Sequence, residues 1–170
     1  YSRFYDWQKF IINRFVKRLR RGVQPLELRQ RVYDANLDPR FQRAWELTAR
    51  ILEQFQAETS RDGVTLFVVS IPAAAQIHVD QFAKLQEQAG KGPRMEADYP
   101  DTRLATICRR AGIPYLSLLG TFRTAAPDRN SQVLSQRLFL KGSGHFNEAG
   151  HELAAEAISD WLHGLTPRRQ

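Results

Sequence analysis

Cysteine is nearly absent from this sequence. The single residue Cys108 excludes a disulfide within the chain, and its place on the apolar side of a helical pattern predicts a small buried side chain. No run of 18 or more apolar residues occurs, which argues against a membrane-spanning helix in these 170 residues. Because the sequence begins at Tyr1 rather than at a methionine, we expect it to be cut from something longer. Its 42% hydrophobic fraction is enough for the core of one domain.

Basic residues exceed acidic ones, 25 against 18, and 20 of the 25 are arginine, which gives a net charge of +7. Such a charge suits an acidic partner, but it also suits solvated arginine-rich faces, and the second interpretation is favoured. Only one stretch is densely basic, "RFVKRLRRG" over 14–22, and elsewhere arginine alternates with acidic or amide residues. Since no aromatic-basic platform or recognition motif accompanies this stretch, a nucleic-acid partner is not expected.

The first part of the chain, residues 1–37, is expected to hold a basic amphipathic helix followed by an irregular segment. Apolar residues recur at steps of three or four, which predicts one apolar helical face over 4–20; they are Phe4, Trp7, Phe10, Ile11, Phe15 and Leu19. Packing of this face on protein is favoured over a membrane surface, which stays an alternative. An exposed face of this kind would support self-association or docking on a missing N-terminal portion.

Residues 38–170 have the pattern of an α/β domain. Two short apolar runs, over 64–72 and 112–120, predict strands buried on both faces of a parallel sheet. Helices are expected over 38–60, near 78–89 and 100–111, and at the end of the chain. The fold class is therefore α/β, with a parallel sheet flanked by helices in three layers. Two strands are too few for such a sheet, so either weak strands lie near 28–34 and 137–140 or other strands lie outside this sequence.

The segment "GSGHFNEAGH", residues 142–151, places His145 on a flexible turn before the last helix. A histidine in this position can be directed across the end of a sheet, where it can act as a general base toward a hydroxyl nucleophile. Asn147 is expected to cap the helix, and Gly150 is expected to allow close approach of two backbones. The competing interpretation is a loop histidine that only precedes a helix.

The stretch "GHFNEAGHELAAEAI" resembles the last motif block of the SGNH (GDSL-like) hydrolases. The stretches "WELTARILEQFQAETSRDGVTLFVVSIPAAAQ" and "AGIPYLSLLGTF" are similar to preceding elements of that family, so the resemblance covers roughly 40–165. It implies a three-layer, flavodoxin-like α/β domain and an esterase that cleaves acyl or acetyl esters of a lipid or carbohydrate. It also implies that His145 is the general base, with no cofactor.

Two departures from this family stand out. The sequence contains no Gly-Asp-Ser block for the nucleophile and no Gly-x-Asn-Asp block, so we expect a C-terminal portion that is inactive alone. Gly142 and Ser143 stand where the family has an aspartate before the histidine, and Ser143 can accept a hydrogen bond but carries no charge. Three hypotheses follow: a Ser–His dyad, a substitute carboxylate such as Asp128, or an accessory or binding domain that has lost catalysis.

The remaining polar candidates carry weaker predictions. His78 and His163 stand alone in the sequence, and Ser70 and Ser117 are expected to be buried within their strands. His145, Glu148 and His151 could suggest a metal site, but the six-residue step between the two histidines does not place them on one helical face, so no metal site is predicted.

Overall fold

The computed structural model describes residues 31–90, 92–126, 138–140 and 144–165, so the predicted helix over 4–20 lies outside the described residues. The elements, in chain order, are α1 (Pro39–Arg61), β1 (Val68–Ser70), α2 (Ala74–Ile77), α3 (Val79–Ala89), α4 (Tyr99–Arg110), β2 (Tyr115–Ser117), α5 (Leu119–Ala125) and α6 (Glu148–Leu165). This mixture of helices around a parallel pair of strands confirms the α/β class. Among the described helices, none is both long enough and apolar enough to cross a lipid bilayer.

Helix α1 begins and ends where its sequence predicts. The Asp38 carboxylate accepts a hydrogen bond from the Arg40 amide at 2.8 Å and so caps the first turn. Pro39 is the first helical residue, where its missing N–H would have no partner within the helix. The helix stops before Gly63, whose φ of +69° a residue with a side chain rarely adopts. On its inner face Trp45 is buried and meets the ring of Tyr99 on α4 edge-on.

Strands β1 and β2 pair in parallel, with Val68 opposite Tyr115 and Ser70 opposite Ser117. The chain crosses from β1 to β2 through α2, α3 and α4, as parallel pairing requires. The two strands are each only three residues long, and every residue in them is half-buried. The prediction of strands buried on both faces is therefore wrong for the described residues.

The flanks of β1 show the same departure from the predicted burial. Val64, Phe67 and Ile71 remain 58%, 40% and 67% exposed. In the part of the chain that the structure describes, β1 has one neighbouring strand, so little protein lies beside its outer edge.

The hypothesis of weak strands near 28–34 and 137–140 is corrected for the residues that are described. Asp34 forms an isolated antiparallel bridge with Met95, and Phe139 forms another with Phe146. Neither bridge extends the parallel sheet. Residues 28–30 and 137 lie outside the described ranges.

The apolar core lies on one face of the sheet. Val69 of β1 and Leu116 of β2 pack against a cluster of buried side chains from α2, α5, α6 and residues 138–139. The cluster consists of Ala74, Ile77, Leu118, Leu119, Phe122, Ala126, Leu138, Phe139 and Ala154. Burial of these side chains supplies the main force that holds the helices on this face.

Candidate functional site

His145 lies just before α6, on a backbone segment held by two hydrogen bonds. The Leu140 amide donates to the His145 carbonyl at 2.9 Å, and the Asn147 amide donates to the Leu138 carbonyl at 3.1 Å. These bonds flank the antiparallel bridge between Phe139 and Phe146 and fix the backbone from the His145 carbonyl to the Asn147 amide. His145 is exposed to solvent.

Phe146 anchors the same segment from inside. Its ring stacks on Phe122 with centroids 4.5 Å apart, and it meets Phe139 edge-on at 5.3 Å. Phe146 is partly buried against the apolar core, whereas His145 beside it is exposed. The position of the histidine is therefore set by packing of its neighbour.

The predicted roles of Asn147 and Gly150 are confirmed. The Asn147 side-chain oxygen accepts from the Gly150 amide at 3.0 Å, and its carbonyl accepts from the His151 amide at 3.0 Å, which starts the helix. A Cβ atom added at Gly150 would overlap the Leu138 carbonyl oxygen and lie 3.1 Å from the Phe146 Cβ. Glycine is thus required for the close approach of α6 to residues 138–139.

The predicted partners of His145 cannot be placed beside it. Ser143 and Asp128 both lie outside the described residues. His151 is exposed on α6 and meets the Phe146 ring edge-on at 5.8 Å, in agreement with its interpretation as a surface or packing residue. His163 lies on the same helix, with its Nδ1 atom 3.4 Å from the Ser159 hydroxyl.

A polar network around Asp101 forms the second feature of the site, and the sequence interpretation missed it. The Ser70 and Ser117 hydroxyls donate to Asp101 Oδ1 at 2.6 and 2.5 Å, and Gln76 Nε2 donates to Oδ2 at 2.8 Å. The Tyr115 hydroxyl lies 2.7 Å from the Ser70 hydroxyl and 3.3 Å from Oδ1. One carboxylate therefore gathers three hydroxyls and one amide.

The topology brings this network to one end of the sheet. Ser70 and Ser117 are the last residues of β1 and β2 and lie opposite each other in the parallel register. Asp101 lies in the first turn of α4, the helix that leads to β2, so its carboxylate is brought back to the carboxyl ends of the strands. This is the end of a parallel sheet where α/β proteins place their ligands.

The sequence held one signal for this network, which is a serine at the same place after each of two apolar runs. The prediction that Ser70 and Ser117 are buried is wrong, because both are only half-buried and both face a carboxylate. Asp101 itself looked like an ordinary acidic residue of a helix's first turn, and nothing local in "YPDTR" distinguished it.

The hydrogen bonds of this network join the ends of β1 and β2 to α4. Burial raises the pKa of Tyr115 and the negative charge of Asp101 adds to this, so the phenol stays neutral and can donate. Gln76 is itself fixed, because its amide nitrogen also donates to the Ala97 carbonyl and its oxygen accepts from the Ala73 amide. The groups satisfy one another and hold the two strand ends to the start of α4.

His78 occupies the opposite environment, inside the apolar core. Its side chain is 1% exposed, and its ring lies 5.3 Å from that of Phe139. Neither ring nitrogen has a hydrogen-bond partner among the described residues. Burial lowers the pKa of His78, only partly offset by the Asp80 charge, so the ring is held neutral. This histidine packs in the core, and no hydrogen bond among the described residues joins its ring to the Asp101 network.

Cys108, likewise, is fully buried, as its sequence context predicts. Burial raises the pKa of its thiol, so the group is held in the unreactive protonated form.

The described residues also indicate what could hold a metal ion or a small ligand. No group of three or more His, Cys, Asp or Glu side chains there could hold a metal ion. A cavity of about 230 Å³ lies between α1 and α4, and both acidic and basic side chains line it; the lining residues are Glu46, Ala49, Arg50, Glu53, Ile107 and Arg110. This cavity includes neither His145 nor the Asp101 network.

Comparisons of the chain with models of known protein families, with curated proteins and with solved structures find no match.

Proposed function

We propose that this chain is the C-terminal portion of a serine hydrolase of the SGNH type, in which His145 is the general base of ester cleavage. The observation that carries this proposal is the exposed imidazole just before α6, on a segment held by backbone hydrogen bonds and by packing of Phe146 on Phe122. An ordered histidine with an accessible ring is what a hydroxyl nucleophile needs beside it.

In the proposed reaction, a serine on polypeptide outside this sequence attacks the carbonyl carbon of an acyl or acetyl ester. His145 takes the hydroxyl proton and returns it to the leaving alcohol as the carbon–oxygen bond breaks, which leaves an acyl-serine. His145 then takes a proton from water, the resulting hydroxide displaces the serine, and the serine recovers the proton. The products are a carboxylic acid and an alcohol of a lipid or carbohydrate.

The arrangement of the sheet supports the three-layer part of this proposal. Helix α4 lies against one face through Asp101, and the core of α2, α5 and α6 lies against the other through Val69 and Leu116. The half-buried strands and the exposed Phe67 and Ile71 are consistent with further strands supplied by the proposed N-terminal portion.

The test is hydrolysis of p-nitrophenyl acetate by the longer polypeptide that carries the proposed nucleophile. His145→Ala should lower kcat by about 10²–10⁴-fold, since a general base contributes that much. His163→Ala removes an exposed histidine of α6 and should leave kcat unchanged. Hydrolysis of the ester by residues 1–170 alone, in a reaction that a serine reagent inhibits, would contradict the proposal that the nucleophile lies outside this sequence.

The second candidate is a non-catalytic accessory or binding domain of the same fold. Ser143 favours it, because an uncharged residue stands where the resemblance places the acid. Under this alternative the longer polypeptide has no esterase activity that His145→Ala could remove.

A further inference from the structure

The outer edge of β1 has backbone groups that β2 does not use. The Val68 amide donates to the Pro114 carbonyl at 3.0 Å, and the Ser70 carbonyl accepts from the Leu118 amide at 3.1 Å. Because successive residues of a paired strand direct their backbone groups to opposite sides, the amide and carbonyl of Val69 point away from β2. Among the described residues, β1 has no second neighbouring strand that could take these groups.

The residues along this edge carry no charge. The stretch "VTLFVVSI", residues 64–71, is uncharged throughout, and Val64, Phe67 and Ile71 in it are exposed. Strand edges that face water in native proteins are usually protected by charged side chains, bulges or prolines. The first proline here, Pro72, comes only after Ile71. An uncharged apolar edge of this kind is one that another strand covers.

Helix α1 lies on the same side of the sheet as α4. Trp45 of α1 meets Tyr99 of α4 edge-on, with ring centroids 6.5 Å apart, and residues of both helices line one cavity. Helix α4 in turn meets the face of the sheet that presents Ser70 and Ser117, through Asp101. The helix before β1 and the helix before β2 therefore pack side by side on one face.

The chain enters α1 from the carboxyl end of the strands. The Ala35 amide donates to the Arg94 carbonyl at 2.8 Å, and the Glu96 amide donates to the Tyr33 carbonyl at 2.8 Å, so this part of the chain lies beside the segment that precedes α4. That segment leads to Asp101, which lies at the ends of β1 and β2. A helix that begins at this end of a parallel sheet and leads into a strand is typical of a crossover from a preceding parallel strand.

The shared side of α1 and α4 determines where that preceding strand lies. Crossovers between parallel strands have the same, right-handed sense, so helices on one face place successive strands in one direction across the sheet. The crossover through α4 leads from β1 to β2. The crossover through α1 therefore starts from the other side of β1, which is its open edge.

Residues 1–30 lack a sequence that suits this strand. Charged residues interrupt the apolar stretches there, and the longest apolar run, "FII" over 10–12, is shorter than "LFVV" at β1. A strand inside a parallel sheet is buried on both faces and has a near-continuous apolar sequence. The source that remains is polypeptide ahead of Tyr1, where the proposed function also places the nucleophile.

We propose that a strand of the N-terminal portion pairs in parallel with the outer edge of β1, through the backbone of Val69, and covers Phe67 and Ile71. The strand order is then the incoming strand, β1 and β2, which makes β1 a central strand. This inference rests on the proposed function, since that proposal places part of the domain outside this sequence.

Amide hydrogen exchange of the longer polypeptide, read residue by residue by NMR, tests the proposal. The Val69 amide should exchange within about tenfold of the Val68 amide, which is bonded to Pro114, since both would lie between paired strands. Exchange at Val69 that is about 100-fold faster or more would show an open edge and overturn the proposal.

Two further outcomes would also overturn it. A close contact between Hα atoms at the outer edge of β1 would show that the incoming strand is antiparallel. Protection of the Val69 amide that is lost on dilution would show that a second copy of the chain covers the edge.

Ile71→Asp introduces a charge at the same edge. In the longer polypeptide it should speed exchange of the Val69 amide by about tenfold or more and leave Val68 unchanged, since a charged residue opposes pairing at a strand edge. Val79→Asp makes the same change at an exposed apolar residue of α3 and should change neither rate. Equal exchange at Val69 in Ile71→Asp and in the native polypeptide would contradict coverage of Ile71.

The same polypeptide separates this inference from the hydrolase proposal. Protection of Val69 without an esterase activity that depends on His145 would support the incoming strand and contradict the hydrolase. Rapid exchange at Val69 in a polypeptide whose esterase activity needs His145 would support the hydrolase and overturn the incoming strand.

Discussion

One face of the sheet presents Val69 and Leu116, and the other presents Ser70, Tyr115 and Ser117, although all five residues come from β1 and β2. The first face packs against the apolar core of α2, α5 and α6. The second face meets α4 through hydrogen bonds to one carboxylate. The same two strands therefore join their neighbours by two different kinds of interaction.

The difference between the faces lies in how the energy is distributed. On the apolar face, burial free energy is spread over many side chains and depends on volume more than on direction. On the polar face, the stabilising free energy is concentrated on Asp101, because Ser70, Ser117 and Gln76 each lose one acceptor if that carboxylate is removed. A substitution on the apolar face should lower the free energy of unfolding when it removes side-chain volume. A substitution on the polar face should lower it when it removes the carboxylate of Asp101.

The largest expected effect breaks the apolar face. Phe122 is fully buried and contacts Phe139 and Phe146, so Phe122→Ala leaves a cavity that these rings cannot fill. We expect the free energy of unfolding to fall by about 3–5 kcal/mol, measured by urea denaturation followed by circular dichroism. Thr124→Ala, at an exposed position of the same helix, should change it by less than about 0.5 kcal/mol. Similar losses in the two variants would contradict the assignment of the core.

The next largest effect is expected from a substitution that disrupts the polar face without changing side-chain volume. Asp101→Asn keeps the shape of the side chain but replaces one accepting oxygen with a donor, which leaves donors of the network facing a donor. We expect a loss of about 1–3 kcal/mol in the free energy of unfolding, measured by the same urea titration. Asp62→Asn, at an exposed residue after α1, should have no measurable effect.

A double-mutant cycle decides whether the network acts as a unit. Once Asp101 is replaced by Asn, Ser70→Ala and Ser117→Ala should each cost less than they cost in the native chain, since their shared acceptor is already impaired. Strict additivity would show that the three groups contribute independently, and it would remove the distinction between the two faces.

Features set by local sequence could be predicted in this protein. Asp38 and Pro39 mark the start of α1, Gly63 follows its end, and Asn147 caps α6, because each acts on backbone within a few residues. The close approach at Gly150 was also predictable as a need for glycine, although its partner, the Leu138 carbonyl, was not.

Features set by distant contacts could not be predicted from this sequence. Ser70 meets Asp101 across 31 positions in the chain, and no periodicity records that pairing. The burial of β1 also depends on how many strands lie beside it, which an apolar run such as "LFVV" does not specify. The position of His145 on a turn before α6 could be predicted, but the packing of its partly buried neighbour Phe146 on Phe122 could not.

The smallest expected effect is a dependence of the free energy of unfolding on pH. It tests the apolar side of the sheet, because protonation of His78 would place a charge there. Burial holds the pKa of His78 below its ordinary value of 6.5, so the unfolded chain binds a proton more readily than the folded chain. The contribution of His78 to the free energy of unfolding is therefore fully present above about pH 6.5. It is lost as the pH falls from there toward the pKa of His78 in the folded chain. Urea denaturation at about pH 8 and about pH 5.5 should show a lower free energy of unfolding at the acidic value.

His78→Leu separates this group from every other that titrates in the same range. Leucine fills apolar space without a protonation cost, so the loss of stability between the two pH values should shrink in this variant relative to the native chain. The matched variant His163→Gln, at an exposed position of α6, should keep the native pH dependence. If His78→Leu and the native chain lose the same free energy on acidification, the buried imidazole has found a partner for its charge. The apolar side of the sheet would then contain a polar contact, and the contrast between the two faces would be one of degree.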